Sequence, residues 1–467
     1  MDDDQTEHEL VSTLLDDLFP ICRSITGPGF RESLEILERH APLEVEGVPS
    51  GTDVFDWTVP PEWHVRDAYL EGPDGERYAD FRETNLAVVN YSEPVDRWLS
   101  LDELDSHLYS HPTHPDARPY VTSYYERNWG FSLPHTVRES LPDGEYHAVV
   151  DSEFVDGELN YAHTVLPGES DEEVLLSTYL CHPSMANNEL SGPLTMALLY
   201  RRLAAWESRY YTYRFVVCPE TIGSITYLHE HGDHLLETLV GGLVLTCLGG
   251  PEPGLSYKLS RREDSLLDRT VRYMIECDQL DAELRPFSQV LGSDERQYCS
   301  AGFDLPVGQM ARTVYEEYPE YHTDKDDKEF MGIDPIVASA DGVERVLRNF
   351  EYAGRFENLQ PYGEPMLSKR HLYPTVNNFL GDESTESYLS EQTRAEYMDA
   401  SAAEKITALD IDDRTYFSRL LMLLHYSDGD HDVLDIARRC ECTLEELMPI
   451  VEVLTDKELL ARLPTGQ

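Results

Sequence analysis

Lysine is almost missing from this 467-residue chain: six occur, and the first is Lys258. Basic residues of either kind number 37 against 89 acidic ones, a formal charge of −52. A chain this acidic meets duplex nucleic acid or an anionic lipid surface with like charge, so neither is expected as a partner. Long apolar stretches are also missing, since no run reaches 18 residues, the length that a membrane-spanning helix requires. The opening M-D-D-D-Q-T-E is the opposite of a cationic signal-peptide start, and a soluble cytoplasmic protein is expected. Paired cysteines are lacking too. The eight present (22, 181, 218, 247, 277, 299, 440, 442) sit mostly in apolar runs, which reads as buried thiols in a reducing compartment. Cys440-Glu-Cys442 is one residue short of a C-x-x-C pair and has no second pair to join it.

The acids are spread along the whole chain among aromatics and aliphatics, so an acidic disordered tail is not their source. Their mutual repulsion is screened only when the Debye length shrinks to about 3 Å at molar salt. A salt-adapted, halophilic protein is the expectation.

Against this background one segment carries chemistry. Ser177 to Gly192 reads S-T-Y-L-C-H-P-S-M-A-N-N-E-L-S-G: a strand-like run, a histidine, amide and carboxylate side chains, then small residues entering an apolar helix. A second histidine lies in Y-H-T-D-K-D-D, Tyr321 to Asp327, and Glu220 follows the apolar run Y-R-F-V-V-C-P. Three strand-end loops thus offer imidazole and carboxylate to one site. By contrast H-E-H-G-D-H (229–234) reads as a solvated helix end, and H-P-T-H-P (111–115) as a proline-broken loop.

The surrounding pattern is periodic. Two helices are predicted within residues 9–38, split by S-I-T-G-P-G. Residues 48–150 hold four of the five tryptophans, many prolines and short alternating stretches, a strand-rich module inserted into a larger domain formed by 1–47 and 151–360. From Glu173 onward strand, loop and helix alternate, which predicts an α/β fold with a mostly parallel sheet flanked by helices. Ligands bind beyond the carboxyl ends of such strands, where His182 and Glu220 fall. After a turn-rich linker (361–375), residues 376–467 end in three short helices and a wing-like D-K-E-L-L-A-R-L. This is a winged-helix pattern, yet its recognition-like helix, T-L-E-E-L-M-P-I-V-E-V-L, has glutamates and no basic residue. Homo-oligomer contacts are expected of it rather than DNA binding.

The strings D-W-T-V-P-P-E-W, Y-V-T-S-Y-Y-E-R-N-W-G-F, C-H-P-S-M-A-N-N-E-L-S-G, P-E-T-I-G-S-I, G-S-D-E-R-Q-Y and P-E-Y-H-T-D-K-D carry a resemblance over nearly the whole chain. It resembles the aminopeptidase-like family with a domain of unknown function, DUF4910, interrupted by a second, DUF2172, and followed by a winged helix. That family is similar to the M28 zinc aminopeptidases. The resemblance implies an M28-like fold and His182 and His322 as metal ligands. It also aligns N-N-E-L-S-G with the N-D-N-A-S-G turn whose aspartate bridges two zinc ions. Here that position is Asn188, and Glu189 beside it is the alternative third ligand. The M28 glutamate pair and later aspartate are replaced by Pro219-Glu220 and T-C-L-G-G, so one zinc ion is expected rather than two.

In this reading Glu220 is the general base and acid, Asp326 supports the His322 loop, and Asp294, Glu295, Arg296, Arg312 and Tyr315 orient substrate. The implied function is amide hydrolysis on a small peptide-like or amidated, sugar-linked substrate, in a family associated with surface-polysaccharide biosynthesis. A binding or scaffold protein that has lost its metal chemistry is the alternative.

Overall fold

Strand Glu173–Tyr179 is buried along its whole length, as a strand must be when helices cover both faces of its sheet. In this computed structural model, which describes residues 6–372, 405, 409 and 411–465, that strand lies near the centre of an eight-stranded sheet. The order is 44–49, 158–166, 212–218, 173–179, 239–245, 307–311, 255–258, 282–285. Strand 173–179 runs parallel to both neighbours, 212–218 and 239–245. Strand 239–245 is also parallel to 307–311. Antiparallel pairings of 44–49 with 158–166 and of 158–166 with 212–218 close one side. The expected α/β sheet is therefore present, parallel at the centre and mixed toward its edges. Its one buried acid at the strand start, Glu173, is neutralised by a two-pronged bond from Arg214 (2.6 and 2.9 Å).

Helix Ser191–Ala204 follows the N-N-E turn and packs against the sheet at Gly192. A Cβ there would come within 2.1 Å of Thr178 Oγ1 and 2.4 Å of the Leu245 carbonyl. The S-G of the motif is thus a packing requirement that draws the turn onto the ends of two strands.

The strand-rich insertion forms its own four-stranded antiparallel sheet, ordered 77–80, 62–71, 145–155, 95–100. It shares one continuous core with the large sheet, from Trp63 and Tyr146 to Leu175 and Val216. Compactness accordingly groups 1–265 and 281–344 as one unit, with the insertion inside it.

The second unit comprises 266–280 and 345–467, a boundary well upstream of the predicted 376. The reason is strand Arg355–Asn358, which pairs on one side with Asp428–Asp432 and on the other with Leu460–Arg462. The wing thus takes its central strand from sequence ahead of the linker. Helices Asp413–Tyr426, Val433–Cys440 and Leu444–Asp456 complete the winged helix. The last begins with a reciprocal cap between Thr443 and Glu446. Residues 373–375 of the predicted linker and 376–404 of the predicted module lie outside the described residues. No described helix is long and apolar enough to cross a membrane.

Candidate metal centre

The loops that follow strands 173–179, 212–218, 239–245 and 307–311 each contain a non-glycine residue in the left-handed region: Ser184 (φ 50°), Thr221 (64°), Cys247 (53°) and His322 (52°). Such backbone is costly and persists where the surroundings over-determine it, commonly around functional sites. Here the determinants are visible. The Thr221 N–H donates to Asp294 Oδ1 at 2.7 Å, and the His322 carbonyl accepts from the Tyr120 N–H at 2.8 Å.

His182 is fixed first. Its Nδ1 bonds Glu189 Oε2 at 2.6 Å, and its backbone N–H donates to Glu189 Oε1 at 2.8 Å. Both side chains are buried, 5% and 0% exposed. A carboxylate on one ring nitrogen fixes the tautomer and leaves the other with a free lone pair. That other nitrogen, Nε2, lies 3.7 Å from Glu220 Oε2. The His322 ring is centred 5.4 Å from that of His182, and Tyr120 packs on both, at 5.0 and 5.4 Å. His322 is held far down, at about 3, by burial and then by the charge of His182, so it presents a neutral imidazole.

Asn188 and Glu189, adjacent in sequence, have separate fates. Ala186–Leu190 forms a single wide turn in which the Ser191 N–H reaches back five residues to the Ala186 carbonyl, a geometry frequent at functional sites. Glu189 has both oxygens hydrogen-bonded to His182, and Cys181, His182 and Glu189 bring their ligand atoms within 4.8 Å of one another, a buried group that could hold a metal ion. Asn188 donates from Nδ2 to the Tyr179 hydroxyl at 3.0 Å, while its Oδ1 is buried with no hydrogen-bond partner among the described residues. An orphaned buried oxygen demands an explanation, and a bound cation supplies one.

Asp326 ties the histidine loops together, accepting from the backbone N–H groups of Asn187 (2.6 Å) and Asn188 (2.9 Å) and from the Tyr318 hydroxyl (3.0 Å). Burial pushes its carboxyl up to about 6 despite these donors. Glu220 Oε1 accepts from Ser293 Oγ at 2.8 Å. Next to it Asp294 is fully buried and accepts from Thr221 and Ser224; burial, then the charge of Glu220, push it up to about 7.

The remaining predicted substrate residues are engaged by other partners. Glu295 pairs with buried Lys258 at 2.6 Å, Lys258 reaches the Tyr315 hydroxyl at 2.7 Å, and Tyr315 donates to Gln309. Arg296 donates to the Ser293 and Gln289 carbonyls. Arg312 is taken up by Ser339 and the carbonyls of Glu252 and Pro253. These side chains hold the loop carrying Ser293 and the loop after strand 307–311, and the structure gives them no place in the histidine cluster.

Two contributors escape sequence reasoning. Arg23, fully buried, donates to the His182 carbonyl at 3.2 Å and feels the charge of Glu189. Tyr120 arrives from the insertion, whose segment 118–120 lies against 322–324 through mutual backbone bonds. Only the string Y-V-T-S-Y-Y-E-R hinted at it.

A second group, Glu46, His163 and His231, also draws together. It corrects the reading of His231 as a solvated helix end: helix Ile222–Thr238 continues past it, and the ring is half-buried against Tyr227 (4.5 Å). Arg214 donates to the Tyr227 hydroxyl, which in turn bonds His163 Nδ1. The other ring nitrogen of His163, Nε2, faces Glu46 at 3.7 Å. With a guanidinium beside it, this is a hydrogen-bonded polar network.

Comparison with known proteins agrees with this architecture. The family model described as a domain of unknown function, DUF4910, matches residues 12–353. The chain belongs to the DUF4910 family. A winged helix-turn-helix model matches 406–462. The chain is 42% identical over 370 residues, 78% of its length and 83% of the relative's, to a Clostridium acetobutylicum protein described as a candidate polysaccharide-biosynthesis protein with an aminopeptidase-like domain. A crystal structure from Clostridium acetobutylicum, described as a candidate peptidase, superposes with a TM-score of 0.81 at 36% identity, covering 98% of this chain and 96% of that one. The zinc aminopeptidase of Bacillus subtilis (TM-score 0.54, 12% identity, 73% and 93% covered) shares the fold. So does a peptidase M28 precursor from Shewanella amazonensis (0.53, 12%, 74% and 92%). This DUF4910 protein therefore has an M28-like, aminopeptidase-like fold with a C-terminal winged helix.

Proposed function

We propose that this protein is a zinc-dependent amide-bond hydrolase with one metal ion, acting on a small aminoacyl or amidated, sugar-linked substrate in polysaccharide biosynthesis. The observation that carries the reading is the buried pair in which Glu189 holds His182 Nδ1 and turns Nε2 toward Glu220. The proposed holders of one divalent ion are His182 Nε2, neutral His322, whose ring is centred 5.4 Å from that of His182, and the orphaned Asn188 Oδ1. An uncharged ligand set is compatible with catalytic zinc, which three imidazoles hold in carbonic anhydrase. One ion rather than two is proposed because, among the described residues, Asp326 accepts from backbone N–H groups and Asn188 stands where the resemblance implies a bridging carboxylate. When bound, the ion supplies Lewis acidity toward a carbonyl and toward water.

The chain's own residues supply the rest. Glu189 fixes the His182 tautomer and Arg23 holds the His182 carbonyl. Glu220, 27% exposed and oriented by Ser293, is the one carboxylate of the cluster free to take a proton from water and return it to the leaving amine. The description of the Clostridium acetobutylicum relative supports the polysaccharide setting, and the zinc aminopeptidase that shares the fold supports the reaction class. Metal analysis of protein purified in high salt without chelator, with amide-hydrolysis assays of Glu220→Gln and His182→Ala, tests the reading. Glu220→Gln keeps zinc and loses roughly 10²–10⁴-fold in rate; His182→Ala loses the zinc. Full occupancy in His182→Ala sinks the centre, and wild-type protein holding no stoichiometric zinc favours a scaffold.

A further inference from the structure

The hydrolase reading leaves unexplained a cleft of about 450 Å³ in the inserted module, lined among others by Trp57, Tyr91, Tyr124, Tyr125, Glu126 and Arg127. The volume is that of a small-molecule site. The cleft adjoins the metal centre through a short relay: Tyr124 in its wall shares a hydrogen bond with the Tyr120 hydroxyl, and Tyr120 packs on both His182 and His322.

The lining has a definite chemical character. Trp57 and Tyr125 meet edge to face at 5.1 Å, with Tyr125 55% exposed. Tyr91 and Tyr124 form a second edge-to-face pair at 5.9 Å. Apart from two prolines the lining has no aliphatic side chain, and Asp56, Glu126 and Arg127 supply charge at the same cleft. A pocket for a leucine-like side chain would be aliphatic and free of charge. Aromatic faces accompanied by acceptors and donors suit a ring with an apolar C–H face and a girdle of hydroxyls.

We infer that this cleft is a pyranose subsite, which holds the sugar of an amide-bearing saccharide while its amide reaches the His182–His322 centre. The position of the amide rests on the hydrolase reading; the binding of the sugar does not. The insertion would then set the substrate class, and Tyr124–Tyr120 would join the subsite to the centre.

The test is calorimetry on the full-length protein in molar potassium chloride. The probes are N-acetylglucosamine, N-acetylgalactosamine, their disaccharides and glucuronamide, with leucinamide as the sugar-free control. At least one saccharide is expected to bind. Trp57→Ala and Tyr125→Ala, neither of them a proposed ligand, should each weaken it roughly ten-fold, the worth of one aromatic contact, with zinc content and leucinamide binding unchanged. Binding by no saccharide of the panel, or binding that withstands both substitutions, overturns the subsite. Glu220→Gln should bind saccharide like the wild type. If it does while the wild type hydrolyses no amide, the hydrolase reading falls and the subsite stands.

Discussion

Replacing Glu189 by glutamine changes one oxygen to an NH2 group at a position with no exposed surface, and the arrangement around His182 sets the consequence. Glu189 accepts two hydrogen bonds, from His182 Nδ1 at 2.6 Å and from the His182 backbone N–H at 2.8 Å. A glutamine has one acceptor for these two donors. If its oxygen keeps the backbone N–H, its NH2 faces Nδ1 and donates to it, driving the ring proton onto Nε2 and masking the lone pair meant for the metal. A hydrogen bond to a charged group is worth about 1.5–3 kcal/mol, and each 1.4 kcal/mol is tenfold in affinity. Glu189→Gln should therefore bind zinc roughly 10–100-fold more weakly, the range found for residues that orient metal-bound histidines. The assay is competition between the apo-protein and a chromophoric zinc chelator in molar potassium chloride, with thermal unfolding as the control for folding. Zinc affinity within twofold of the wild type would refute the orienting role, and complete loss of zinc would make Glu189 a ligand after all. The wild-type affinity should also climb with pH. Burial alone would lower the His182 pKa, but the charge and hydrogen bond of Glu189, then the charge of Glu220, outweigh it and hold it above 6.5 in the metal-free protein. The ring must shed that proton before it can ligate.

Asp294, raised to about 7 from an ordinary 3.8 by burial and then by Glu220, contributes stability below pH 3.8 that is lost as pH rises toward 7. Asp294→Asn keeps an acceptor for Thr221 and Ser224 and should remove that fall; parallel urea-midpoint profiles of the two metal-free proteins from pH 4.5 to 7.5 would refute it. The charge of −52 should make the fold salt-dependent, because the Debye length drops from about 10 Å at 0.1 M to about 3 Å at 1 M; equal thermal midpoints in 0.1 and 3 M potassium chloride would contradict this. The winged helix should leave duplex DNA unbound, since its helix Leu444–Asp456 presents Glu445, Glu446 and Glu452 and no basic residue. Deleting 376–467 should instead change the oligomeric state in size-exclusion chromatography. Submicromolar, salt-sensitive anisotropy shifts with labelled duplex would overturn the DNA prediction.

The strand-loop-helix alternation from Glu173 onward was legible because apolar periodicity is a local property of the chain. So were the strand-end positions of His182 and Glu220, each of which follows an apolar run directly. The wing was only half visible: its strand Leu460–Arg462 follows the last helix, but the central strand Arg355–Asn358 comes from beyond the linker, and strand pairing over such a distance leaves no local mark.

The sequence by itself determined the chain's charge, its α/β order and which loops bring imidazole and carboxylate, since these depend on residue type and near neighbours. Tertiary structure alone decided the roles inside the cluster. Asn188 and Glu189 are adjacent, yet the wide turn aims Glu189 at His182 Nδ1 and leaves Asn188 Oδ1 buried and unpaired, a divergence that spacing does not encode. Tyr120 reaches the histidines from a module far upstream because 118–120 pairs with 322–324. Arg312 and Tyr315, expected from the sequence to orient substrate, are taken up by Ser339, backbone carbonyls, Lys258 and Gln309. A side chain's role is set by the donors and acceptors that folding places within about 3 Å of it, and those partners come from distant parts of the chain.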